Sequence, residues 1–167
     1  MAFFYPLYST KSRSERWIKR FAGSIGMRDY VLDSLPNVLL FRYYPETFWS
    51  AVRKNMKPFL APRLSTFIPT MMNFEKVVTV SLKNGFQLSH IVTPLGDEID
   101  LNDYEEDFSD LWEYLENMNV DVTSVRLKHA NLDISLKNDG TIEYFGDSSN
   151  EVFRLFLVGM SEVVLNE

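Results

Sequence analysis

Cysteine is absent from this sequence of 167 residues. That single absence excludes disulfides, zinc–thiolate centres and thiol nucleophiles, and it makes an intracellular, cytoplasmic protein the expected setting. Long apolar runs are missing too. No stretch reaches the roughly 18–20 residues that span a bilayer. The opening "MAFFYPLYST" is apolar and aromatic, yet it lacks a basic region before it and a small-residue cleavage site after it. It reads as mature protein and not as a signal peptide. Histidine is scarce, with two copies, and no His-x-x-x-His spacing occurs. Glycine-rich phosphate loops, Gly-x-Ser-x-Gly and dinucleotide fingerprints are likewise lacking.

What is present suits one folded domain over 1–167. Hydrophobic residues make up 46% and aromatics 14% of the chain, enough to bury a sizeable core. The net charge of −6 conceals a polarity along the sequence. Residues 1–63 hold 11 Lys and Arg against 4 Asp and Glu, whereas residues 64–167 hold 6 against 19. The first segment also carries 13 of the 24 aromatics and five of the seven prolines. Such asymmetry points toward charged partners. Three portions follow: an apolar N-terminal arm (1–10), a basic aromatic-rich segment (11–63), and an acidic hairpin-helix-sheet-helix portion (74–167).

Periodicity sets the expected elements. Trp17, Phe21 and Ile25 share one face of a helix capped by Ser12 or Ser14, with Arg13, Arg16 and Arg20 on another. "RDYVLDSL" suggests a further turn or two. "NVLLFRYY" reads as a strand, and "PETFWSAVRKNMK" as a helix opened by Pro45. Residues 58–73 read as a connector. Val78, Val80 and Leu82 alternate before Asn84-Gly85, which predicts a hairpin through a type I′ turn. Tyr104, Phe108, Leu111, Leu115 and Met118 predict a helix over 103–118, capped by Asn102 or Asp103. Its opposite face is carboxylate: Glu105, Glu106, Asp110, Glu113 and Glu116. Two or three strands follow, with a turn at Asn138-Asp139-Gly140. Ser148 and Glu151 form a capping box before a last helix whose Phe153, Phe156, Leu157 and Met160 face the core.

Ser-Leu-Lys-Asn occurs twice, at 81–84 and 135–138. Each copy reads as a strand end feeding a glycine turn, and shared turn chemistry explains the identity better than duplication. The whole predicts an α+β fold: an antiparallel sheet of about five to six strands (two hairpins) packed with four helices.

No catalytic residue, cofactor or metal site emerges. The stretch "GDEIDLNDYEEDFSD" has the oxygen ligands of a calcium loop but not its sharp-turn glycine. His90 and His129 lie on strands, where a half-buried, hydrogen-bonded imidazole is the ordinary expectation. The first functional expectation is a non-enzymatic module that binds a protein partner or forms a homo-oligomer. Phe3, Phe4, Tyr5 and Tyr8 would anchor it, with the carboxylate helix face as an electrostatic partner surface. The second is nucleic-acid binding, with Arg13, Arg16, Lys19 and Arg20 on phosphates and Trp17, Tyr43 and Tyr44 as stacking surfaces. The third is a metal-dependent hydrolase or nuclease centred on 133–143, using Asp133, Lys137 and Asp139.

Overall fold

The computed structural model describes residues 2–9, 14–24, 30–31, 38–42, 64–66, 68–99, 101, 108–130, 132–145 and 151–165. In chain order the elements are β1 (Ala2–Ser9), α1 (Glu15–Ser24), β2 (Tyr30–Val31), β3 (Val38–Arg42), β4 (Leu64–Thr66) and α2 (Met71–Lys83). They continue with β5 (Gln87–Val92), β6 (Glu98–Ile99), α3 (Ser109–Asn117), β7 (Ser124–His129), β8 (Leu132–Lys137), β9 (Ile142–Phe145) and α4 (Glu151–Leu165). The fold is α+β overall, and its sheet is antiparallel throughout. The strand order is β2-β3-β1-β9-β8-β7-β5-β6. Among the described residues, no helix is long and apolar enough to cross a membrane.

The hydrophobic core lies where α2, α3 and α4 cover β5 to β9. Along β7 and β8, Val125 pairs with Leu136 and Leu127 with Ile134. All four are fully buried, so one face of the hairpin is apolar, as a period of two requires. Ile142 and Tyr144 extend that face onto β9, and Ile91 extends it onto β5. Phe153, Phe156, Leu157 and Met160 of α4 pack down on it, following the helical spacing expected for them. Each such side chain contributes about 1.5–3 kcal/mol on burial.

Two expectations are corrected by α2. The segment read as the first arm of a hairpin, with part of the connector before it, is helical. Thr70 and Asn73 start this helix with a capping box: Thr70 Oγ1 accepts from the Asn73 N–H at 3.4 Å, and Asn73 Oδ1 accepts from the Thr70 N–H at 3.0 Å. Phe74, Val77, Val78 and Ser81 form its buried face, at the i, i+3, i+4, i+7 spacing of an α-helix. Asn84-Gly85 is not a hairpin turn but the helix C-terminus. Gly85 takes φ +83, its N–H donates to Leu82 O at 3.0 Å, and the Phe86 N–H donates to Ser81 O at 3.1 Å. Those two bonds are the Schellman pattern that closes helices on a left-handed residue.

The second expected turn is present. Gly140 takes φ +84, its N–H donates to Lys137 O at 2.9 Å, and Asp139 Oδ1 accepts from the Thr141 N–H at 2.8 Å. Elsewhere, Tyr30–Val31 within "RDYVLDSL" form the short strand β2, the rest of that stretch lying outside the described residues, and Leu64–Thr66 supplies β4 within the expected connector. The helix expected over 45–57 lies outside the described residues. Helix α3 begins at Ser109 with Phe108 as its N-cap, and the expected caps Asn102 and Asp103 lie outside the described residues. The N-terminal arm forms β1, a sheet strand paired with β3 over Phe4–Tyr8, with β9 over Ala2–Phe4 and with β4 over Leu7–Ser9.

Candidate functional site

The sheet face turned away from the core carries a phase change in β5. Leu88 pairs with Leu127, and His90 pairs with Arg126, so Ser89 is an extra residue without an opposite number. A regular strand would put Leu88 and His90 on one face, two residues apart. Instead Leu88 and Ile91 are both buried, three residues apart. The bulge therefore turns Ser89 and His90 together away from the core, which is how bulges re-aim side chains.

Ser89 Oγ and His90 Nδ1 lie 2.5 Å apart. On the other side of the ring, His90 Nε2 lies 3.5 Å from Glu98 Oε2. Glu98 reaches it because β6 folds back on β5. The intervening turn is closed by the Gly96 N–H donating to Thr93 O at 3.0 Å, with the Thr93 N–H donating to Asp97 O at 3.1 Å. Glu98 pairs with Val92, one residue pair along the same face from His90, so the two side chains meet diagonally. A carboxylate at Nε2 favours the tautomer protonated there, which leaves the Nδ1 lone pair to accept from the Ser89 hydroxyl. The three residues line an open cleft of about 490 Å³ with Gln87, Leu88, Ile99, Leu101 and Lys128.

The same sheet face carries a cross-strand row. His90 pairs with Arg126, Arg126 with Ser135, and Ser135 with Glu143. Lys137 Nζ lies 2.6 Å from Glu143 Oε1, both partly exposed. Such a pair is worth under about 1 kcal/mol.

A second surface lies on α3. Leu111, Trp112 and Leu115 are buried, which turns Asp110, Glu113 and Glu116 to solvent. Beside these acids, on the flank that leads to the buried Leu111, stand Tyr114, 52% exposed, and Met118, 59% exposed. They are one helical turn apart and so adjacent on the surface.

The other sequence-predicted residues are scattered. Arg16, Lys19 and Arg20 are exposed on α1 and Trp17 is half-buried, with the Trp17 N–H donating to the cap Ser14 Oγ at 3.3 Å. Arg13, Tyr43, Tyr44, Glu105 and Glu106 lie outside the described residues. Phe3, Phe4, Tyr5 and Tyr8 occupy β1, and their side chains lie outside what is described. Asp133 and Lys137 sit at opposite ends of β8, Asp139 is engaged in the turn beyond it, and Lys137 pairs with Glu143. These three are not brought to one point. Among the described residues, no group of three or more His, Asp or Glu is placed to hold a metal ion. His129 packs its ring edge-on to Phe86 at 5.2 Å.

Sequence reasoning missed the Ser89–His90–Glu98 arrangement. Its local signal is a Ser-His pair followed by Pro94, Gly96 and a carboxylate. The bulge that joins these parts depends on pairing with β7, more than thirty residues away. No protein-family model matches the chain, and neither a curated protein nor a solved structure matches it.

Proposed function

We propose that the chain is a protein-binding module that associates with copies of itself, the acidic face of α3 in one copy meeting the cationic face of α1 in the next. The observation that carries this reading is the exposed pair Tyr114 and Met118 on the flank of the acidic face formed by Asp110, Glu113 and Glu116. Aromatic and methionine side chains are enriched at interfaces, and surrounding charges steer encounter and exclude wrong partners. Complementary charge stands on Arg16 and Arg20, both exposed on α1. Helix α1 joins β1 to β2, toward one end of the strand order, and α3 joins β6 to β7, at the other. That separation favours contact between molecules over cancellation within one. Opposite surfaces pairing this way generate rings or filaments in preference to closed twofold dimers.

Light scattering of the full chain tests it. The expected result is a mass above the monomer at low salt that falls toward the monomer near ~1 M salt, where the Debye length is about 3 Å. Tyr114→Ser with Met118→Ser should leave a monomer at every salt concentration. A wild-type chain that stays monomeric at low salt overturns the proposal. Nucleic acid competes for the same cations. A single-stranded oligonucleotide that binds the wild type with a steep salt dependence, and does not bind Arg16→Glu with Arg20→Glu, would assign α1 to nucleic acid instead.

A further inference from the structure

The cleft beside β5 is remote in purpose from the α3 face, since it holds a hydroxyl, an imidazole and a carboxylate in sequence. We infer that Ser89 is a nucleophile activated by His90, in a site that transfers the acyl group of short carboxylic esters to water. Three observations support this. Ser89 Oγ is within hydrogen-bond distance of His90 Nδ1, at 2.5 Å. Glu98 Oε2 stands 3.5 Å from Nε2 on the far side of the ring, a resting distance that tightens as the imidazole gains charge. The bulge that turns the two neighbours to one side disrupts an otherwise regular pairing of β5 with β7. Nucleophile, base and orienting carboxylate in that order constitute the general arrangement for covalent acyl transfer. The cleft, about 490 Å³, has the size of a small-molecule site.

The chemistry balances without a redox partner. Ser89 Oγ bonds to the ester carbonyl carbon while its proton passes to His90 Nδ1. The carbonyl oxygen becomes an oxyanion, for which the Lys128 ammonium and the Gln87 amide of the same cleft are the available donors. The carbon–alkoxy bond then breaks, and the alkoxide leaves with the proton held by His90. Water attacks the acyl–Ser89 ester, gives a proton to His90, and the serine departs with that proton. A carboxylic acid is released and the site is restored. Glu98 touches no reacting atom and is a positioning residue.

The absence of cysteine permits a test that needs no natural substrate. Ser89→Cys introduces the one thiol of the chain, and its alkylation by iodoacetamide is compared with that of Asp121→Cys on the exposed segment between α3 and β7. An activated position should react at least about 10-fold faster than the surface thiol, because a neighbouring imidazole favours thiolate. Adding His90→Gln should remove that advantage. On the wild type, a fluorophosphonate probe should label Ser89, located by peptide mass. Hydrolysis of p-nitrophenyl acetate should fall about 100-fold in Ser89→Ala, the usual worth of an activated group. Glu98→Gln should lower kcat with KM unchanged and shift the pH profile, which a merely structural role would not do. Equal alkylation rates at positions 89 and 121, or labelling undiminished in Ser89→Ala, would overturn the inference. Self-association is read separately by light scattering, so the two proposals fail independently.

Discussion

Gly159 of α4 and Val80 of α2 meet so closely that a Cβ on the glycine would stand 2.8 Å from Val80 Cγ1. The two helices that cover the sheet are in contact at this point, and the absence of a side chain permits it. Alanine at 159 would gain about 1 kcal/mol of helix propensity but would overpack the contact at a cost of about 1–3 kcal/mol. Gly159→Ala should therefore destabilise the protein, read as a lower urea midpoint. Combining it with Val80→Ala removes the clashing methyl, and the double mutant should be more stable than the two single losses added together. Simple additivity would mean that the helices do not press on each other here.

Thr70 tests whether α2 is a helix started by its own sequence. Its hydroxyl accepts from the Asn73 N–H, and Asn73 is buried. Thr70→Ala should cost about 1 kcal/mol, whereas Thr70→Ser keeps the oxygen and should stay close to wild type. Both are measured by chemical denaturation. An equal loss in both variants would assign the effect to the methyl group and not to the cap.

Ala130 joins β7 to β8 with a φ of +52. This left-handed conformation costs an L-residue with a Cβ roughly 1–2 kcal/mol. Ala130→Gly relieves that strain at the expense of a more flexible unfolded chain, an offset of about 0.4–1 kcal/mol. The variant should be more stable than wild type by up to about 1 kcal/mol, equivalent to a rise of roughly 2–4 °C in Tm for a chain of this size. A fall in Tm would show that this turn relaxes in solution.

Tyr144 of β9 stacks on Phe153 of α4, with ring centroids 4.3 Å apart and planes 15° from parallel. Both are fully buried. Phe153→Ala should cost about 3–5 kcal/mol through lost burial and the cavity it leaves. Phe153→Leu, which keeps most of the volume, should cost markedly less. Comparable losses would mean that the aromatic stack, and not volume, dominates the site.

Legibility in the sequence followed the strength of local signals. The turn at Asn138-Asp139-Gly140 was readable because a side-chain oxygen and a left-handed glycine act within four residues. The apolar stripe of α4 was readable because Phe153, Phe156, Leu157 and Met160 admit one period only. The segment 71–83 admitted two. Val78, Val80 and Leu82 alternate like a strand, while Phe74, Val77, Val78 and Ser81 repeat like a helix, and the serine disguised the buried face. The carboxylates of α3 were visible as a face, but not the exposure of Tyr114 and Met118 beside them. Phe108, Leu111 and Leu115 carry the apolar stripe as expected, whereas Met118 continues its spacing yet stands at the solvent end.

The paired Ser-Leu-Lys-Asn segments mark the boundary between what residues dictate and what packing decides. By itself the sequence determined an α+β composition, a cysteine-free chemistry, a chain cationic in front and anionic behind, and a glycine turn after each of those four-residue copies. Only the tertiary structure decided that Ser81–Asn84 closes a helix and Ser135–Asn138 closes a strand. It also decided that Ser89 and His90 point the same way. The physical reason is common to both: a short peptide's own preferences differ by less than the free energy of the long-range burial that selects among them.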